Sequence, residues 1–189
     1  MEDIPPVSNT NIRISRPEIY FGEITNHYVV ANSRQKEFDY PKDNENKYAH
    51  YDGDGGIPMS SLFKRLLFAI KLKDIKLLIS QNIHNKSRLI YDRNIHSIPR
   101  KLAPFITFDQ DPYIVIDDNG RLVWLMDGYT SSQFFPYATP YGQRINYIRN
   151  SVLVTIDAYS GQTNIYLKDK NDPIALAYQG IFPTLFKSL

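Results

Sequence analysis

The sequence contains no cysteine. That absence excludes disulfides, thiol nucleophiles and cysteine-ligated zinc together. It leaves the cellular compartment open. Long apolar runs are also missing. A membrane span needs about 20 mostly apolar residues, and the longest run here is Leu66 to Ile70, bounded by Lys64, Arg65 and Lys71. The first residues, Met1 to Pro6, lack the basic-then-apolar order of a signal peptide. Net charge is only +2, which gives no polyanion-binding signature and points away from nucleic acid. Catalytic motifs are scarce as well. There is no Gly-x-Ser-x-Gly elbow and no P-loop. His27, His50, His84 and His96 are never three or four residues apart, so no helical pair for zinc arises. Two remote acids meeting in space remain compatible with hydrolysis, although nothing specific points to them.

Aromatics are plentiful: 14 Tyr, 10 Phe and 1 Trp. They favour strands and bury large areas. At 189 residues the chain suits one domain. An extended arm occupies about 1–20, with prolines at Pro5-Pro6 and Pro17. Tyr28 to Ala31 reads as a strand, and Lys36 to Tyr40 as a weaker continuation of its pairing. Residues 41–58 form the longest polar, turn-rich loop.

A helical block over about 58–104 follows. Met59, Leu62, Phe63, Leu66, Leu67 and Ile70 fall at the spacing of one buried helical face, with Ser60 or Ser61 as its cap. A second helix starts near Asp74 and is expected to bury Ile75, Leu78 and Ile79. Ser87 to Tyr91 suits a short strand. A third helix carries Ile95, Ile98 and Leu102, with Pro99 tolerated only in the first turn.

The hairpin-rich block spans about 105–170. Tyr113 to Met126 reads as a hairpin turning through Asp117-Asp118-Asn119-Gly120. Val152 to Leu167 reads as another, turning through Asp157 to Gly161. Asp172-Pro173 opens a last helix to about Gly180, and Phe182 to Phe186 form an apolar tail. The pattern predicts an α+β fold: an antiparallel sheet built from hairpins, with a block of helices packed on one face.

Six stretches carry a family resemblance: RPEIYFGE at 16–23, QKEFDYP at 35–41, GGIPMSSLFKRLLFA at 55–69, RKLAPFITFDQDPY at 100–113, NYIRNSVLVTIDAYSG at 146–161 and IFPTLF at 181–186. In this order the chain resembles an uncharacterised family of large bacterial multi-pass membrane proteins. The resemblance implies a soluble part of a region on the extracytoplasmic face of the cell membrane, held there by membrane helices elsewhere in a parent chain. It implies no reaction and no functional residues. Asn150 to Leu167 also resembles the final hairpin of PepSY-type domains.

Three candidate sites emerge. Asp52 and Asp54, in a glycine-rich loop, offer hard oxygen ligands to Ca²⁺. The EF-hand pattern needs further oxygen ligands where Gly56 and Phe63 stand, so the alternative is a plain turn leading into the helix. A basic stretch from Lys64 to Lys101 holds ten Lys or Arg against two acids. Within it Lys64, Arg65, Lys71 and Lys73 are candidates for contact with anionic lipid heads or an envelope polymer, or are solvated helix faces. The aromatic region with Tyr129, Phe134, Phe135 and Tyr137 either anchors a partner or closes over the sheet as core. The leading expectation is a non-catalytic binding or scaffolding module that recognises a protein, an envelope polymer or a copy of itself. A hydrolase of envelope material and a calcium-stabilised interaction module are the rivals.

Overall fold

The computed structural model describes residues 14–42, 45–142 and 145–189. The expected arm, with Pro5 and Pro6, lies mostly outside them.

The strands in chain order are β1 (Val29–Ala31), β2 (Glu37–Lys42), β3 (Glu45–Ala49) and β4 (Ile57–Pro58). The helices α1 (Leu62–Leu72) and α2 (Lys76–Ile79) follow, then β5 (Arg88–Ile90) and α3 (Ser97–Leu102). The second half runs β6 (Thr107–Phe108), β7 (Tyr113–Ile116), β8 (Leu122–Ser132), β9 (Tyr147–Asp157), β10 (Thr163–Leu167), α4 (Pro173–Ile181) and β11 (Phe186–Ser188).

The second half builds the main sheet, in the order β11-β10-β9-β8-β6, with β7 on the same edge of β8 as β6. Both expected hairpins are present. Asp117 shapes the β7–β8 turn: its Oδ1 accepts from the N–H groups of Asn119 and Arg121, and Gly120 takes φ +74°. That backbone position suits only glycine at no steric cost. Asp157 repeats the device between β9 and β10 by accepting from Tyr159 and Ser160.

Sheet pairing shifts register once. Gly128 faces Val152, whereas Tyr129 faces Asn150. Ser151 is therefore the extra residue of a β-bulge, and it lies buried beside buried Val152. At the far edge the apolar tail is a strand rather than a loose end. β11 pairs parallel with β10 after crossing over through α4, so the sheet is antiparallel except for this one ribbon.

One face of the main sheet is the core. Met126, Val152, Val154, Ile156 and Ile165 pack there with Ile90, Ala103, Ile106 and Phe186. Ile98 of α3 and Tyr178 of α4 close over them. The class is α+β, as expected, and α3 and α4 stand on that face. Pro99 occupies the third position of α3, within the turn whose N–H groups have no helical partner.

A second sheet, β1-β5-β4, covers the same core. Its alternation places Val29, Ala31 and Ile90 toward the main sheet. Tyr28, Val30, Leu89 and Tyr91 point the other way, onto a smaller cluster with Met59, Ala69, Leu77 and Ile83. Helices α1 and α2 lie on that outer side and form the outermost layer.

This layering corrects the reading of α1. Met59 is fully buried, but Leu62, Phe63, Leu66, Leu67 and Ile70 are all exposed. The helix carries two apolar stripes, and the buried one is Phe68, Ala69 and Leu72. In α2 Leu77 is buried and Leu78 packs partly buried beside it, as expected, while Ile75 and Ile79 are exposed. Packing against the outer side of the β1-β5-β4 sheet selects these faces, and Lys73 separates the two helices. This lysine ends α1 in the left-handed region at φ 54° and breaks the helical count between the two segments. Ser61 sits at the cap position of α1 but makes no side-chain cap bond.

The loop expected over 41–58 is also corrected in part. Its first half pairs as the β2–β3 ribbon, with Phe38 opposite Tyr48 and both exposed. Such cross-strand aromatic pairs stabilise a ribbon.

Candidate functional site

The outward face of α1 is the most conspicuous surface feature. Leu62, Phe63 and Ile70 are 70%, 66% and 67% exposed. The buried stripe fixes the helix, and Arg65 adds a tie by donating from Nε to the Met59 carbonyl at 3.0 Å. Arg65 thus serves the fold. Lys71 lies over the Tyr91 ring at 4.7 Å and reaches its hydroxyl at 3.5 Å, yet its side chain stays exposed. Lys64 and Lys73 are exposed as well. The neighbouring Asp74 carboxylate accepts from the Tyr28 hydroxyl and the Lys76 N–H. The Tyr28 bond, first of all, holds its pKa below the ordinary value.

The aromatic loop is open rather than folded down. Phe134 and Tyr137 are exposed. Phe135 stacks on Tyr147 with ring centres 4.2 Å apart, and Asn146 pins its backbone from both sides. Tyr129 is half-buried on β8, its hydroxyl 3.4 Å from Asp109. The four residues therefore split into two free rings and two built into the scaffold.

Asp52 and Asp54 are not brought together around a cation. Arg16 forms a two-pronged ion pair with the Asp52 carboxylate, and the Tyr159 hydroxyl donates to it at 2.8 Å. These bonds, the Arg16 one foremost, lower the Asp52 pKa. Asp54 contributes its backbone instead. The carbonyls of Asp54, Gly55 and Gly56 all accept from the Arg88 guanidinium. The loop does converge oxygens on a positive charge, but an arginine supplies that charge. Among the described residues no three of His, Cys, Asp and Glu are grouped to hold a metal ion. Thermal melts in millimolar calcium and in EDTA are expected to share one midpoint. A reproducible rise with calcium would return Asp52 and Asp54 to candidacy.

Sequence reasoning missed the tyrosine cluster behind this loop. Tyr51 stacks on Tyr159 at 4.9 Å, and Tyr20 meets both edge-on. Arg16 lies 4.6 Å over the Tyr159 ring. The Tyr20 hydroxyl donates to Glu37, which also accepts from the Asn32 N–H at 2.6 Å. Burial pushes the Tyr159 hydroxyl up to about 12, so it remains a neutral donor. Gly55 permits the contact, since a Cβ there would overlap the Ser160 carbonyl. Only the density of tyrosines in the sequence hinted at such a cluster.

A recess of about 780 Å³ is polar and lined by Asn94, His96, Arg93, Arg100, Lys101 and Asp92, among others. Its charges are mostly committed. Arg93 donates to the carbonyls of Tyr20 and His27, Lys101 pairs with Asp92, and His96 lies 3.8 Å from Glu23. Asn94 caps the turn into α3 through the His96 N–H at 2.9 Å. The recess thus gathers cations and amides around a single ion-paired carboxylate.

A sequence profile described as "Uncharacterised protein family (UPF0182)" matches residues 1–189, the whole chain. The chain belongs to the UPF0182 family. Among its relatives, a UPF0182 protein of Alkaliphilus metalliredigens is 52% identical over 190 residues. Those of Pelotomaculum thermopropionicum and Clostridium acetobutylicum are 47% and 49% identical over 189 residues. Each match covers 100% of this chain but only 20–21% of the relative. This UPF0182 chain therefore spans about a fifth of the length of these relatives. No solved structure matches it. Among the described residues no helix is long and apolar enough to cross a membrane.

Proposed function

We propose that this UPF0182 chain is a non-catalytic binding or scaffolding module of a larger bacterial membrane protein, displayed on the extracytoplasmic face. One observation carries the reading: α1 is held by one apolar stripe and turns a second, larger one to solvent. An exposed apolar patch of this kind marks an interaction surface. The length of the relatives supports a parent chain that presents the module. None of the four carboxylates whose environments are most marked is poised as a general acid. Asp52, Asp74, Asp117 and Asp172 are all held below the ordinary range, whereas a general acid needs the opposite shift.

The missing cysteines provide the test. A single Ile70→Cys substitution is the one thiol in this chain. Maleimide is expected to label it rapidly in the 189-residue chain and at least tenfold more slowly in the parent protein in its membrane, followed there on the peptide that carries position 70. Ile24→Cys, on a side chain 91% exposed, should label alike in both. A membrane-impermeant maleimide should reach Ile24→Cys from outside intact cells. Equal rates at position 70 in both settings would sink the binding role, and labelling of position 24 only after lysis would sink the placement.

A further inference from the structure

We propose that the outward face of α1 docks in the headgroup region of an anionic lipid bilayer, with the helix lying in the plane of the surface. The inference rests on the binding-module reading and names its partner.

Three features of the helix select a bilayer over a protein. The exposed stripe is aliphatic with one aromatic: Leu62, Phe63, Leu66, Leu67 and Ile70. Protein interfaces enrich Tyr, Trp, Phe, Met and Arg at their centres and are depleted in Lys, and of the enriched types the stripe offers only Phe63. The polar border here is lysine. Lys64 and Lys71 fall seven residues, about two turns, apart along one edge of the stripe, and Lys73 and Lys76 stand beyond its C-terminal end. All four are exposed. The single acid among them, Asp74, is occupied by Tyr28 and the Lys76 N–H. Apolar residues on one side with lysines beside them make the pattern of an interfacial helix. The lysine stems can lie along the apolar boundary while their ammonium groups reach lipid phosphates.

The fold favours the same geometry. α1 is in the outermost layer, tied to the β1-β5-β4 sheet by Phe68, Ala69 and Leu72. Its free face therefore reaches a flat surface without unfolding anything beneath it. The helix is 11 residues long, about 16 Å, which is too short to cross a bilayer and sufficient to lie in one leaflet's interface. Lys71 is braced over Tyr91, so one border charge is already placed. Each lysine near an anionic surface strengthens binding about fivefold.

Cosedimentation with vesicles tests the proposal, using the 189-residue chain with its folding checked by a cooperative melt. The chain is expected to bind vesicles of mixed phosphatidylglycerol and phosphatidylcholine and to bind pure phosphatidylcholine at least tenfold more weakly. Raising the salt should release it. Phe63→Glu and Ile70→Glu change exposed positions and should each reduce binding about tenfold or more. Lys64→Glu with Lys73→Glu should do so on anionic vesicles alone. Ile24→Glu, an exposed site elsewhere, should leave binding unchanged. Equal affinity for neutral vesicles, or loss in the Ile24 control, would overturn the bilayer assignment. If the chain ignores vesicles but self-associates in sedimentation equilibrium, and Phe63→Glu abolishes that, the partner is a second copy. The module reading then stands and the bilayer falls. If the chain is monomeric, ignores vesicles and labels equally at position 70 in the parent, both readings fail.

Discussion

Replacing Asp172 with alanine is expected to lower the unfolding free energy by about 3–5 kcal/mol, the sum of a lost cap and lost charge-assisted hydrogen bonds. Asp172 is fully buried. Its carboxylate accepts from the hydroxyls of Thr130 and Ser151, from Tyr147 at 2.7 Å and from the Ile174 N–H at 3.0 Å. It joins β8, β9 and the start of α4 at one point. Alanine would leave two buried hydroxyls without their acceptor. Urea unfolding should show a lower midpoint at unchanged slope. Asparagine keeps one acceptor oxygen and should fall between alanine and wild type.

The same residue sets an acid limit. Burial raises the Asp172 pKa, but the bonds from Ser151, Thr130 and Tyr147 outweigh it, and the net direction is down. In the unfolded chain an Asp titrates near about 3.9. A depressed folded pKa contributes stability above that value, and the contribution is lost as pH falls through the folded pKa. The gap between wild type and Asp172→Asn should therefore be full near neutrality and shrink progressively below about pH 4. A gap independent of pH would show that folding leaves the Asp172 pKa unchanged, and a gap that grows as pH falls from neutrality would show that it is raised.

Replacing Arg88 with alanine is the second large effect, expected at about 3 kcal/mol from the loss of hydrogen bonds to a charged group. Its Nε donates to the Gly55 carbonyl at 2.6 Å and its terminal nitrogen to Gly56 at 3.2 Å and to Asp54. Without it, three carbonyls of the 54–56 turn lose their common donor, and the turn loses its hold on β5. Lysine should recover less than half, because an ammonium cannot reproduce the forked geometry. Hydrogen exchange should speed up in residues 52–58 before the main sheet is affected. Wild-type exchange in the Arg88→Ala chain would refute the assignment.

Local signals in the sequence reached the hairpins and α4, because their determinants are neighbours in the chain. Asp117 and Gly120 close one turn within four positions, and Asp172-Pro173 marks a helix start by chemistry confined to three residues. The family, too, was recognisable from short blocks distributed along the chain. The orientation of α1 was not legible in the same way. Periodicity reveals that a stripe exists, but α1 has two, and which one is buried depends on the β1-β5-β4 sheet assembled from residues 29–31, 57–58 and 88–90. Arg88 was equally hidden. A guanidinium bonded to carbonyls 32–34 positions away leaves no local mark. The same holds for Asp172, visible as a cap but not as the acceptor shared by two strands. At the candidate site the cations were named from composition, and only their three-dimensional setting separated Arg65, which ties the helix to Met59, from the exposed lysines.

The β-bulge at Ser151 divides β9 into two stretches of different phase. Residues 152–157 are locked to the core by inward-facing valine and isoleucine, while 147–150 begin a fresh alternation on the far side of the extra residue. The end of the β8–β9 ribbon that leads to Phe134 and Tyr137 is thus set in phase by one inserted residue and moored by the Tyr147 hydroxyl on Asp172. Removing Ser151 itself would force one half of the strand to present its wrong side.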